Sequence, residues 1–115
     1  MMILPIREPW FSMILRGKKT EEYRSVKPYY TVRFRNVGLL DENSNPNGKS
    51  LEIMLRNGYS LESAYLCANV TLKIGKGKTE WGAKPGKTYY ILKIHKITEF
   101  CTREQQNEKS LQSIC

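Results

Sequence analysis

The sequence is poor in the residues that build metal centres and disulfide frameworks. It has one histidine, His95, and three cysteines, Cys67, Cys101 and Cys115, with no Cys-x-x-Cys pair. An odd number of unpaired cysteines supplies neither a closed disulfide set nor a zinc ribbon, and one histidine argues against multi-histidine metal sites and a histidine-based triad. We therefore expect no metal, no cofactor and a reducing, cytoplasmic setting.

Long apolar runs are also missing. No window approaches the roughly 18 consecutive apolar residues that cross a bilayer, and the first residues lack the basic and then apolar pattern of a secretory signal. The sequence thus predicts a soluble protein with no membrane partner. At 115 residues, without repeats, it predicts a monomer with one domain over 1–100 and a polar C-terminal tail over 101–115.

Negative charge is in short supply. Nineteen Lys and Arg residues stand against eleven Asp and Glu residues, which gives a formal net charge of +8. Such an excess favours polyanionic partners through long-range attraction and counterion release, although charge alone does not name the partner. A protein-interaction adaptor is a third class of function, but it needs a large exposed apolar patch, of which the sequence offers little sign.

Local signals predict one helix and one long loop. Pro9 suits a first helical turn, Gly17 suits a left-handed C-cap, and apolar residues four positions apart lie between them, so we predict a helix over 9–16. Residues 41–50 (DENSNPNGKS) form their own turns and bury little, which predicts a loop.

Alternation with a period of two predicts five strands, over 19–24, 29–37, 51–56, 66–74 and 88–97. The second has a competing interpretation, because Lys27-Pro28 equally suits the start of a helix. Taken together, these elements predict an α+β domain, mostly antiparallel, in which a partly closed β-barrel carries helices at its rim.

A charge cluster follows the first helix, with the spacing Gly17-x-Lys19-x-x-Glu22-x-Arg24. On a strand, Glu22 and Arg24 share one face about 7 Å apart, and Lys19 at the bend can lean over them. The two cations could donate to a phosphate or a nucleobase carbonyl while the carboxylate accepts from an amine. The alternative is a solvated strand in which Glu22 only pairs with a neighbouring cation.

Aromatic and basic residues outside this cluster extend the candidate interface. Trp81 lies in a glycine-rich loop among lysines, where core burial is less natural, whereas Trp10 on the apolar helix face better suits the core. Tyr29 and Tyr30 are further candidate stacking platforms. A basic rim for a sugar-phosphate backbone is expected from the loop 73–87 and from Lys18, Lys84, Arg33 and Arg35.

Two stretches resemble the ASCH domain family, a branch of the PUA-like superfamily. The first is the Gly17-to-Arg24 motif, with the Trp10 helix before it and the segment to Tyr30 after it, and the second is 81–92 (WGAKPGKTYYIL). The resemblance covers roughly residues 3–100. It implies a small PUA-like β-barrel with peripheral helices that binds RNA or a modified nucleotide. It implies that Lys19, Glu22 and Arg24 line a binding cleft. With the aromatic and basic residues above, the expected binding residues are Lys18, Lys19, Glu22, Arg24, Trp81 and Lys84.

The same resemblance implies an enzymatic alternative. Some small bacterial relatives hydrolyse the amide of N4-acetylcytidine with a lysine, a threonine and a glutamate. Lys19 matches that lysine, but Glu22 stands where the threonine nucleophile would be, and a carboxylate cannot replace a hydroxyl as an ordinary acyl acceptor. Thr20 and Glu80 are the candidate substitutes for the threonine and the glutamate. We therefore expect a binding domain first and an amidohydrolase second.

Overall fold

The computed structural model describes residues 1–102 and contains one five-stranded sheet, two α-helices and one 3₁₀ turn. The strands and helices follow one another along the chain as β1 (Ile3–Ile6), α1 (Trp10–Leu15), β2 (Glu21–Ser25), α2 (Pro28–Asn36), β3 (Leu51–Asn57), β4 (Tyr65–Lys76), the 3₁₀ turn (Thr79–Trp81) and β5 (Thr88–Cys101). The predicted tail over 101–115 lies almost entirely outside the described residues.

The sheet has the strand order β1-β3-β4-β5-β2. β1 runs parallel to β3, and the other neighbouring pairs are antiparallel. The fold is therefore α+β with a mixed, mostly antiparallel sheet, as the alternation predicted.

The prediction of a barrel is wrong, because the sheet does not close. Its two edges are β1 and β2, and within residues 1–102 these strands are not hydrogen-bonded to each other through their backbones. Closure needs two edges that can exchange N–H and C=O groups along their length. β1 has only four residues and includes Pro5, which has no N–H to donate, so it is suited to remain an edge.

The prediction of a strand over 29–37 is also wrong, and the competing helix start at Lys27-Pro28 is the correct interpretation. Lys27 is extended and Pro28 occupies the first helical position. Phe34 is fully buried, and its ring stacks on that of Tyr30, one turn earlier, at 6.0 Å between centroids. Val32, which strand alternation would bury beside Phe34, is 44% exposed. The segment is therefore a helix, because the helical period places the rings of Tyr30 and Phe34 together on the side that packs against the core.

The remaining elements agree with the sequence pattern. Helix α1 and strands β2 to β5 lie where they were predicted, with ends shifted by a few residues, whereas β1 was not predicted as a strand. The first half of β5 is buried on both faces, because Tyr90 and Leu92 pack in the main core while Tyr89 and Ile91 pack with Ala83 and Tyr23. Its later residues are mostly exposed. In the loop over 41–50, the carboxylate of Asp41 accepts from the backbone N–H groups of Asn43 and Asn45. No helix in the described part of the chain has the length and apolarity needed to cross a membrane.

Candidate functional site

A cleft of about 250 Å³ lies at the opening between the two sheet edges. Pro5 and Ile6 of β1 form one side, and Glu22, Tyr23 and Arg24 of β2 form the other. The cleft exists because the sheet curls without closing. Loops and α1 complete the walls with Arg7, Trp10, Gly58, Tyr59, Trp81, Gly82 and Tyr89.

Glu22 is the acidic residue of this cleft, and each of its carboxylate oxygens meets a different cation. Oε1 accepts from the ammonium of Lys19 at 2.6 Å, and Oε2 accepts from the guanidinium of Arg24 at 2.9 Å. The Glu22 side chain is only 10% exposed, so these are largely desolvated ion pairs. The predicted cluster of Lys19, Glu22 and Arg24 is therefore assembled in the structure. Each carboxylate oxygen retains a second lone pair for a ligand donor.

Lys19 contacts Glu22 from the buried side and does not line the cleft. Its ammonium also donates to the Glu21 carbonyl oxygen at 2.5 Å and lies 5.6 Å and 5.3 Å from the ring centroids of Trp10 and Tyr23. Burial lowers the pKa of the Lys19 ammonium, and the neighbouring Glu22 carboxylate opposes that shift. Lys19 is thus connected to the cleft through its contact with the Glu22 carboxylate.

Arg24 spans the opening of the sheet. Its Nη2 donates to the Pro5 carbonyl oxygen at 2.8 Å as well as to Glu22, and its Nη1 makes a long contact of 3.4 Å with the Tyr30 hydroxyl. Its Nε is buried and has no hydrogen-bond partner among residues 1–102. A guanidinium carries five N–H donors in a fixed plane, so Arg24 keeps donor capacity for a ligand.

Aromatic residues supply much of the cleft wall. Trp81 follows Glu80 in the 3₁₀ turn, and the Lys78 ammonium lies over its ring, 4.4 Å from the centroid. Gly82 has a φ of +97°, and a Cβ placed on it would lie 3.0 Å from a ring carbon of Trp10. The backbone of the Trp81 loop is therefore packed directly on Trp10. Trp10 packs against the core, as expected, but it is only partly buried and also lines the cleft.

Tyr23 fixes the Trp81 loop against β2. Its hydroxyl donates to a carboxylate oxygen of Glu21 at 2.8 Å and accepts from the backbone N–H of Lys78 at 2.9 Å. Burial, with a further contribution from the Glu21 carboxylate, raises the pKa of Tyr23 to about 12. The carboxyl group of Glu21 is also partly desolvated, which alone would raise its pKa, but hydrogen bonds from Tyr23 and Lys73 lower the pKa overall. The neutral hydroxyl of Tyr23 thus holds the Trp81 loop against β2.

Besides Lys19, four other predicted site residues do not line the cleft. Lys18, Thr20, Glu80 and Lys84 are all exposed and lie outside its walls. Lys84 contributes only through its backbone N–H, which donates to the Tyr89 hydroxyl at 2.9 Å.

Tyr59 and Arg7 are among the lining residues that the sequence patterns did not single out. Tyr59 is 86% exposed and follows the Asn57-Gly58 turn, and Arg7 follows β1. The sequence signal for Tyr59 is its position directly after a turn, because an aromatic ring there is not part of the buried face of a strand. Within residues 1–102, no group of three or more His, Cys, Asp and Glu side chains is arranged to hold a metal ion.

A comparison of the sequence with protein-family models identifies the family. The ASCH domain model matches residues 4–112, which is nearly the whole chain and extends beyond the predicted domain end at residue 100. No curated protein and no solved structure gave a significant match. The chain belongs to the ASCH domain family, whose PUA-like fold is generally tied to RNA binding.

Proposed function

We propose that the cleft binds a single unstacked nucleobase of an RNA or of a modified nucleotide, without catalysis. The observation that carries the proposal is the pairing of Glu22 with Arg24 inside an aromatic-walled recess. The volume of about 250 Å³ lies just below the roughly 300–1,000 Å³ of typical small-molecule pockets, so it suits one small planar group.

The polar groups define which base edge fits. Glu22 can accept a hydrogen bond from an amine, and Arg24 can donate to a ring nitrogen or a carbonyl oxygen beside it. Cytosine presents such an amine next to such acceptors. Uracil would place its O4 oxygen against the Glu22 carboxylate, and two acceptors in contact are unfavourable. We therefore expect the cleft to prefer cytosine over uracil.

The aromatic walls supply affinity that does not depend on base identity. A base stacked on an aromatic side chain gains about 1–3 kcal/mol, and Tyr59, which is exposed, and Trp10 and Trp81, which are half-buried, are lining rings that can receive one. The net charge of +8 adds an attraction to phosphates that weakens with salt.

The amidohydrolase alternative has less support from the geometry. Thr20 and Glu80, the substitutes that the resemblance suggested, are exposed and lie outside the cleft. The carboxylate at position 22 is occupied by two cations rather than by a hydroxyl that it could activate. We infer that an acylated cytidine could be bound in this cleft but is not hydrolysed.

A fluorescence titration with four RNA homotetranucleotides tests the proposal. We expect the cytidine tetramer to bind more tightly than the uridine tetramer, salt to weaken both, and Glu22→Gln to remove the preference. Trp81→Ala should weaken both tetramers about thirtyfold, which corresponds to the middle of the stacking range. Lys49→Ala, which changes an exposed lysine in the loop over 41–50, is the matched control.

Two results would contradict the proposal. RNA affinities that do not change with salt concentration, and that are the same for the wild type, Glu22→Gln and Trp81→Ala, would show that the cleft is not the binding site. Release of acetate or cytidine during prolonged incubation with N4-acetylcytidine would show that the site is catalytic.

A further inference from the structure

A second groove adjoins the cleft, between β1 and the start of α2. It has a volume of about 490 Å³ and shares three lining residues with the cleft, namely Pro5, Arg24 and Tyr59. Arg24 separates the two spaces, since its guanidinium contacts Glu22 of the cleft and Tyr30 of the groove. A ligand that occupies the cleft can therefore continue into the groove over Arg24.

The groove differs from the cleft in its charge. Three cations, Arg24, Lys27 and Arg33, line it, and its lining within residues 1–102 includes no Asp or Glu. The cleft, by contrast, contains the Glu22 carboxylate. Arg24 is paired with Glu22, so the groove owes its excess positive charge to Lys27 and Arg33. Such an excess attracts an anion, whereas a paired carboxylate and guanidinium attract a neutral polar edge.

The aromatic rings of the groove are covered by its cations. The Arg33 guanidinium lies 5.4 Å from the Tyr29 ring centroid, and the Lys27 ammonium lies 5.5 Å from that of Tyr30. These rings hold the cations in place rather than offering bare stacking faces.

We propose that this groove binds the phosphate and sugar of the nucleotide next to the base held in the cleft. The ligand is then a single-stranded segment of at least two nucleotides. This inference rests on the proposed function of the cleft and deepens it. A base inside a duplex stack would have to be flipped out to enter the cleft, so an unpaired segment is favoured over a duplex.

A comparison of a nucleoside with its dinucleotide tests the inference. NMR titrations would measure the affinity of the protein for cytidine and for CpC, which adds one phosphate and one nucleoside. We expect CpC to bind about tenfold more tightly than cytidine, as expected for one charge-assisted phosphate contact. Arg33→Ala and Lys27→Ala should each remove most of this gain and leave cytidine binding unchanged.

The variants distinguish a loss of phosphate binding from a loss of folding. Lys27 is exposed, so Lys27→Ala stays informative if Arg33→Ala, which loses a bond to the Ile3 carbonyl oxygen, fails to fold. Arg35→Ala is the matched control, because Arg35 lies on the same helix, outside the groove, and donates to Ser44. Two results would overturn this inference alone. One is equal affinity for cytidine and CpC, and the other is a preference for CpC that remains in both Arg33→Ala and Lys27→Ala. Failure of both compounds to bind would overturn the proposed function as well.

Discussion

The guanidinium of Arg24 in β2 donates to the carbonyl oxygen of Pro5 in β1 at 2.8 Å, across the gap that keeps the sheet from closing. The same nitrogen donates to Glu22. One side chain therefore spans two edge strands that share no backbone pairing within residues 1–102, and it also orients the carboxylate of the cleft. Shape and chemistry of the site depend on the same guanidinium.

Replacing Arg24 by lysine should weaken both stability and binding. Lysine keeps the charge but lacks the planar fork that reaches Pro5 and Glu22 together. We expect a loss of about 2 kcal/mol in the free energy of unfolding, measured in urea, and at least about tenfold weaker binding of the cytidine tetranucleotide. Arg16→Lys, at an exposed position outside the cleft, should change neither quantity. An Arg24→Lys protein that matches the wild type would show that the guanidinium fork is dispensable.

Lys19 and Glu22 should be energetically coupled. Lys19→Met leaves Glu22 with one cation, and Glu22→Gln leaves a buried ammonium without a carboxylate, so each should cost about 3 kcal/mol of stability. The double variant should cost less than the sum, with a coupling of about 2 kcal/mol in a double-mutant cycle. Strictly additive losses in urea denaturation would indicate that the pair acts as two independent groups.

The contact between Gly82 and Trp10 should control the shape of the cleft. Gly82→Ala and Gly86→Ala both place a side chain at positive φ, which costs about 1 kcal/mol of stability in each case. Only Gly82→Ala also brings a Cβ to 3.0 Å from the Trp10 ring, since Gly86 has nothing within 4 Å. We expect Gly82→Ala alone to shift tryptophan fluorescence and weaken nucleotide binding. Equal effects of the two substitutions on binding would argue against packing as the cause.

Stability should fall in alkaline solution, in part through Cys67. Burial first, and then the nearby Glu99 and Glu52 carboxylates, raise the pKa of the Cys67 thiol from 9.0 to about 11. Between these two values the unfolded chain has lost the proton that the folded chain retains, so the thiol's contribution is complete below pH 9 and is lost as the pH rises toward 11.

The effect of Cys67 is measurable against Cys67→Ala. In urea unfolding under reducing conditions, the free energy of unfolding of the wild type should fall with pH more steeply than that of the variant, by up to about 1.4 kcal/mol per pH unit between pH 9 and 11. Parallel curves for the two proteins would contradict the raised pKa.

Much of the site was predictable because it is encoded locally. Glu22 and Arg24 are two residues apart on a strand, so the period of the strand places both on one face. The motif was therefore visible in the sequence, whereas the glycine- and lysine-rich surroundings of Trp81 left both a binding and a packing role open. The burial of Lys19 was not, because it depends on Trp10 and Tyr23 packing around the ammonium. Tyr59 reaches the cleft from the turn after β3, a placement that only long-range contacts fix.

The sequence by itself determined the strands with clear alternation, the first helix, the loop over 41–50 and the ionic motif, since each follows from neighbouring residues and backbone periodicity. Tertiary structure alone decided three matters. Burial of Phe34 made 28–36 a helix, the edges β1 and β2 remained unpaired through their backbones in the described residues, and the gap between them became a cleft crossed by Arg24. Each of these depends on contacts between segments far apart in the chain. Local sequence patterns give no information on the free energies of such contacts.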